Sequence, residues 1–218
     1  MKTYWIIGGG HFGQRAAHTI RDNESASAIV IVDKHSLRCK QLEGRGFETR
    51  CMEGISFLKA NLVTTDHPDW IIPAIPVHVA FDWIKSKLAG RYQVRSIPIP
   101  HGLESQLPNP LPGDSGQCFI SNADFICPDD CAEPEEICTY TGRPRPRILN
   151  DFLQKTNYTD FRSIVVRSQQ LFAGVGGYSP HTLFSALTEV ELTSDPILLS
   201  TACRCHAVVD AFRLSTQG

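Results

Sequence analysis

The sequence predicts an α/β protein: a doubly wound, mostly parallel sheet followed by a cysteine-rich α/β extension. Three observations lead there. The first ninety or so residues alternate short β-branched runs with helical patterns, as parallel sheets with crossover helices do. A glycine-rich turn, Gly8-Gly9-Gly10-His11-Phe12-Gly13, stands between the first strand and the first helix. Six of the eight cysteines crowd into Cys118–Cys138 and Cys203–Cys205, whereas cysteines used only for packing scatter singly. The composition changes near residue 92, which divides the chain into residues 1–91 and 92–218.

Taken in order, Tyr4-Trp5-Ile6-Ile7 reads as a buried strand running into the glycine turn. Phe12–Arg21 follows as a helix, with Ala16 and Ala17 small enough to sit against a sheet. Ala28–Val32 is a second β-branched run ending at Asp33, and Leu37–Glu43 is a helix closed by Gly44. Phe47–Cys51 gives a third strand, and Trp70-Ile71-Ile72 with Ala74-Ile75 a fourth. Val77–Leu88 is helical, with Val77, Phe81, Ile84 and Leu88 on one face and Gly90 as its stop. After a strand over Gln93–Ile97, the prolines 98, 100, 108, 110 and 112 predict a long loop to about Gln117. Beyond the cysteine segment come a helix over Ile148–Thr156 and a strand over Ser163–Arg167. A glycine loop, a helix from Pro180 and apolar runs at Ile197–Leu199 and Ala207–Phe212 complete the chain.

A formal net charge of −2 over 218 residues offers no general attraction for nucleic acid or an anionic membrane. No run approaches the roughly 20 apolar residues that span a bilayer, so no membrane insertion is expected. A cytosolic location follows, where cysteines serve as thiols and metal ligands; in an exported chain they would read as a disulfide framework.

Gly8-x-Gly10-x-x-Gly13 has the strand-before, helix-after context of a dinucleotide-binding turn. The first glycine permits the turn, the second lets a pyrophosphate approach the backbone, and the third lets the helix pack on the strand. Phosphate would rest on the free amides of the helix that begins at His11 and Phe12. Asp33, at the end of the second strand, is placed to accept ribose hydroxyls and favours NAD over NADP, with Lys34 and His35 softening that preference.

Residues 2–85 resemble the Rossmann-like NAD-binding domain of the RCK and Trk potassium-uptake regulatory proteins. The residues that carry the resemblance are Gly8-Gly-Gly-His-Phe-Gly-Gln-Arg15, Ile29-Val-Ile-Val-Asp33-Lys34, Gln41-Leu-Glu-Gly-Arg-Gly-Phe47 and Ile71-Ile-Pro-Ala-Ile-Pro76. Glu53 matches the family's acidic turn more loosely. The resemblance implies NAD(H) at Gly8, Gly10, His11, Phe12, Gly13, Asp33 and Ala74. It also implies a homo-oligomer, usually a symmetric dimer, and a transporter as partner.

Cys127-Pro-Asp-Asp-Cys131 fits a tight turn with converging sulfurs, and Cys138 can join from the next loop. Cys203 and Cys205 lie on one face if their segment is extended, with His206 pointing the other way. The two half-sites would supply a zinc ion or an iron–sulfur cluster, with Cys118 in reserve; unliganded or redox-active thiols are the other reading. Cys39 and Cys51 read as small buried hydrophobes. The acids Asp124, Asp129, Asp130, Glu133, Glu135 and Glu136 form either a charged neighbourhood or a solvated rim. Arg143, Arg145 and Arg147 could offset them, grip an anion, or lie on the surface. Ala173–Tyr178 reads as a second anion turn or as a plain strand-to-helix connection. His18, His35, His67, His78 and His101 form no constellation in the sequence, and no nucleophile–base pair is visible.

Two functions are therefore expected. One is an NAD(H)-binding oxidoreductase or redox sensor with a cysteine-ligated iron–sulfur or zinc centre. The other is a non-catalytic NAD-sensing regulator of the RCK type.

Overall fold

Strands β1 (Thr3–Ile7), β2 (Ala28–Asp33), β3 (Glu48–Cys51) and β4 (Trp70–Pro73) run parallel in the spatial order β3-β2-β1-β4. The computed structural model describes residues 1–114, 116–156, 158 and 160–216. Central β1 pairs on both sides, and the side chains of Tyr4, Ile6 and Ile7 are buried on its two faces. Helices α1 (His11–Asn23) and α2 (Ser36–Glu43) cover one face through Ala16, Ala17, Ile20 and Leu42. Helices α3 (Gly54–Asn61) and α4 (Val79–Leu88) cover the other through Phe57, Leu58, Trp83 and Ile84.

The sequence reading does not anticipate α3. Glu53 caps it by accepting the amides of Ile55 and Ser56 at 3.0 and 2.7 Å, satisfying two donors the helix start leaves free. The expected helix over Val77–Leu88 starts two residues later, with His78 at its N-cap.

The second half forms a mixed six-stranded sheet. Its elements are β5 (Tyr92–Ser96), the short α5 (His101–Glu104), β6 (Leu111–Pro112), β7 (Cys118–Ser121) and α6 (Leu149–Lys155). After these come β8 (Arg162–Arg167), the hairpin β9 (Gln169–Phe172) and β10 (Val175–Gly177), α7 (Pro180–Leu192), β11 (Ile197–Ala202) and β12 (His206–Thr216). The order is β6-β7-β12-β11-β8, and β5 pairs with the far end of β12. The expected proline-rich loop thus contains one helical turn and a short edge strand.

Three apolar clusters define the layers. The largest lies between the sheets, where α3, α4 and α7 meet Ile7 and Ile71 from one side and Val166, Leu199 and Phe212 from the other. The outer face of the second sheet packs on Leu103, Leu149 and Leu153 of α5 and α6. No helix among the described residues is long and apolar enough to cross a membrane.

A buried polar chain crosses the middle layer. His78 Nδ1 lies 2.6 Å from Asp210 Oδ2 on β12, and its Nε2 lies 2.8 Å from Thr201 Oγ1 on β11. His78 is 4% and Asp210 5% exposed, so neither can turn to water if the contact between them is lost. Removing one partner leaves the other buried and uncompensated. His78→Ala and Asp210→Ala should each lower stability by about 3 kcal/mol. The double variant should lose less than the sum in urea unfolding, and simple additivity would refute the coupling.

Nearby Asp82 has its carboxyl pushed up by burial and by the charge of Asp210. Asp82 therefore holds its proton more tightly folded than unfolded. Its stabilising contribution is full below the unfolded carboxyl value and is lost as pH rises through the folded one. Asp82→Asn should raise the melting temperature at neutral pH, and the gain should vanish below about pH 4. A gain independent of pH would contradict this account.

Candidate functional site

The glycine turn is shaped by contacts a side chain would break. Gly8 has φ +113°, and a Cβ there would meet the Ala74 carbonyl oxygen at 2.5 Å. At Gly13 a Cβ would meet the Gly8 carbonyl oxygen at 1.8 Å, which is the helix–strand closeness expected of the third glycine. A Cβ on Gly10 would have nothing within 4 Å, so open space lies against the backbone where α1 begins. Gly10 is the N-cap of α1 and supplies no side-chain cap bond. The Ala74 amide donates to the Ile7 carbonyl at 2.8 Å, placing the end of β4 beside the turn.

Asp33 already has three partners. Its Oδ2 accepts the Gly9 amide and Arg38, each at 2.8 Å, and its Oδ1 accepts the His35 amide at 2.8 Å. Burial alone would raise its carboxyl, but Arg38 and the two amides together hold it below its ordinary value. Arg38 is the residue the sequence reading missed here. Its signal was a place five positions beyond the acid in the next helix, which brings the guanidinium back over the strand end. Phe12 is exposed, as is His11, and the Arg15 guanidinium lies 5.6 Å from the Phe12 ring centre.

The cysteines gather in a cavity of about 350 Å³ lined by Cys127, Cys131, Cys138, Cys203, Cys205 and His206. Cys203–His206 is not extended: the Cys203 amide donates to the His206 carbonyl at 2.9 Å, closing the turn of the β11–β12 hairpin. The tight turn brings His206 onto the side of the sulfurs, where the expected extended chain would have turned it away. Its Nε2 lies 3.5 Å from Cys127 Sγ and its Nδ1 3.9 Å from Cys203 Sγ.

Backbone amides point at several sulfurs. Cys203 accepts from the amides of Cys205 and His206 at 3.4 and 3.3 Å, and Cys131 from that of Glu133 at 3.4 Å. Cys138 accepts from Thr141 and Tyr140, which hold its thiol below the usual value. Arg145 Nε donates to Cys205 Sγ at 2.7 Å. Burial and the neighbouring sulfurs push Cys127 up, and burial with the Glu133 carboxylate pushes Cys203 up to about 12.

Among the described residues, no three His, Cys, Asp or Glu side chains stand close enough together to enclose one metal ion. Cys118 is buried in the outer core, away from the cavity, and Cys51 is exposed rather than buried. Cys39 is buried, as expected of a small hydrophobe.

Asp124, Asp129, Asp130, Glu135 and Glu136 are exposed, as a solvated rim would be, and Glu133 is the exception. Glu133 is 6% exposed with φ +47°, and its Oε1 accepts the Arg204 amide at 2.8 Å. Asp129, between Cys127 and Cys131, reaches His11 Nε2 and Arg15 Nη1 on α1, each at 3.4 Å. Arg15 also donates to the Gly174 carbonyl at 2.9 Å. The stretch Ala173–Tyr178 is the β9–β10 hairpin turn and the strand after it. Its Gly174 and Tyr178 amides are already given to the Cys131 and Ile71 carbonyls at 2.9 and 3.0 Å, so the stretch serves packing.

The family described as "Uncharacterized protein, C-terminal domain" (AF_1314_C) matches residues 80–215, more than half of the chain. The chain belongs to this family. An uncharacterized protein of Archaeoglobus fulgidus is 28% identical over 222 aligned positions, covering 95% of this chain and 98% of its own length. No solved structure matches. The AF_1314_C segment contains the whole cysteine cavity, whereas the glycine turn and Asp33 precede it. Likeness to the archaeal protein extends over both.

One contact clamps the cysteine loop. Gly174 has φ +68°, its amide donates to the Cys131 carbonyl at 2.9 Å, and a Cβ there would meet the Asp129 carbonyl oxygen at 1.8 Å. Gly174→Ala should force the loop off the hairpin at a cost of about 1–3 kcal/mol. Faster labelling of Cys127 and Cys131 by a thiol reagent would accompany the loss; unchanged labelling would show that the clamp is not needed.

Proposed function

We propose that the protein is a cytoplasmic NAD(H)-binding oxidoreductase or redox sensor whose second half holds a cysteine-ligated metal centre, iron–sulfur or zinc. The observation that carries the reading is the bridge made by Asp129. It sits between two cavity cysteines and pairs with His11 and Arg15 on the helix that follows the glycine turn. The two candidate sites therefore share one contact.

Support for the dinucleotide comes from the parallel order β3-β2-β1-β4, that of a Rossmann-like half, with the turn at the end of the central strand. Gly10 leaves space for a pyrophosphate at the uncapped start of α1, and Asp33 stands at the end of β2 for ribose. Arg38 must yield one carboxylate oxygen to a ribose hydroxyl, a modest demand because its side chain is 38% exposed and can turn into solvent.

The cysteine cavity fits a metal by donor chemistry. It offers five sulfurs and an imidazole, with backbone amides and Arg145 positioned to stabilise thiolates. Bound zinc would fasten the loop to the hairpin, while iron–sulfur would supply one-electron chemistry beside a hydride carrier. The residues' part is to hold thiolates, shield them from water and tie their loop to α1.

A second reading, the RCK-type regulator without turnover, draws on exposed Leu37, Met52 and Phe12 in the nucleotide half, apolar groups available to a second copy or a partner. It predicts NAD(H) binding without reductase activity toward any electron acceptor.

Protein purified without oxygen should bind NADH and contain metal. Asp33→Ala should weaken NADH at least about tenfold and leave the metal in place. Cys127→Ser should lose metal and keep NADH binding. Metal-free, correctly folded wild-type protein would overturn the metal centre, and absence of NADH binding would overturn the nucleotide site.

A further inference from the structure

Five sulfurs line one cavity, yet no three potential ligands among the described residues stand close enough for a single ion. A tetrahedral zinc draws its sulfurs to about 2.3 Å from one point, which puts them within about 4 Å of one another. The sulfurs here line a cavity of about 350 Å³. That arrangement suits a core of several atoms whose outer thiolates are spread apart.

We propose that the cavity holds an iron–sulfur cluster rather than one zinc ion, a narrowing that rests on the cysteine-ligated reading, with Cys127, Cys131, Cys138 and Cys205 as its thiolates. All four line the cavity: Cys127 and Cys131 from one turn, closed by the Cys131 amide on the Pro128 carbonyl at 3.2 Å, Cys138 from the next loop and Cys205 from the β11–β12 turn. Clusters of this kind are held by four cysteines, and hydrogen bonds to the sulfurs tune them. Two of the four have amide donors: Cys131 from Glu133, Cys138 from Tyr140 and Thr141.

A thiolate-ligated cluster is anionic, and the charges around it are arranged for one. Arg145 sits on Cys205 Sγ at 2.7 Å, and Arg143 lines the same cavity. Of the nearby acids, Glu135 pairs with Arg204 at 2.8 Å and Asp129 with Arg15 and His11, while Glu133, which lines the cavity, has its Oε1 on the Arg204 amide at 2.8 Å. Cys203 lines the same cavity but is occupied differently. Its sulfur faces two amides of its own turn, the Glu133 carboxyl group and His206 Nδ1. It is a positioning residue that shapes the hairpin turn carrying Cys205.

The test is iron, acid-labile sulfide and zinc analysis of full-length protein purified without oxygen, with visible absorption and electron paramagnetic resonance after dithionite reduction. Iron and sulfide in equal amounts, a broad visible band and a reduced-state signal are expected. Serine at Cys131 or Cys138 should abolish or change that signal, whereas Cys203→Ser should leave its shape unaltered. Circular dichroism of each variant separates lost ligation from lost folding, and the wild-type stoichiometry stands independently of any variant. Stoichiometric zinc without sulfide would overturn the cluster and leave the metal centre standing. Titratable free thiols with neither metal would overturn both. A cluster that survives in Cys138→Ser with an unchanged signal would overturn the ligand set.

Discussion

The backbone pair between Tyr178 and Ile71 is the contact on which the arrangement of the site depends. The Ile71 amide donates to Tyr178 at 2.9 Å and the Tyr178 amide donates back at 3.0 Å, with both residues fully buried. This bridge attaches the β9–β10 hairpin to the free edge of the parallel sheet, beside β4. It requires Gly177, where a Cβ would meet the Ile71 carbonyl oxygen at 2.9 Å. The hairpin then presents Gly174 to Arg15 on one side and to Cys131 on the other. Without that edge pairing, the cysteine loop has no fixed position relative to α1, since the loop itself contains almost no regular structure.

Within the cavity two opposing effects meet at Cys138, Cys203 and Cys205. Burial disfavours the thiolate, while amides and guanidinium favour it. At Cys138 the hydrogen bonds win and at Cys203 burial and Glu133 win, so sulfurs of one cavity are driven in opposite directions. A purely structural cysteine cluster has no need of donors aimed at sulfur. Amides directed at Cys131 and Cys138 are the preparation the proposed metal centre would use, because it must displace the thiol protons as it enters.

Much of this was legible in the sequence where local pattern decides. The alternation of strands and helices, the glycine turn and Asp33 are short-range signals, and the structure carries all of them. The clustering of cysteines also read correctly as one locality, since cysteines separated by some seventy positions line one cavity. What was hidden was non-local. The β9–β10 hairpin reads as a glycine loop until β4 supplies a partner. His206 reads as pointing away until the Cys203 turn tightens. His78 forms no constellation in sequence because Asp210 is 132 positions distant. Helix α3 is short and depends on the Glu53 cap, so its apolar pattern alone is too brief to declare it.

The Asp129 bridge also fixes how the two sites must influence each other. Arg15 and the imidazole of His11 stand beside the start of α1, and Asp129 engages both. An anionic pyrophosphate settling on the proposed nucleotide turn would compete with that carboxylate for the same groups. Any displacement of Asp129 moves the turn between Cys127 and Cys131, because the three share five consecutive positions and the Cys131 carbonyl is held by Gly174 and Gln170. Coupling free energy is reciprocal, so an occupant that stiffens the cysteine loop must alter nucleotide affinity by the factor that nucleotide alters its own. The bridge is exposed, with Asp129 about half accessible, so its pairwise strength is small and falls with salt. A link of that strength would tune one proposed site by the state of the other without locking either.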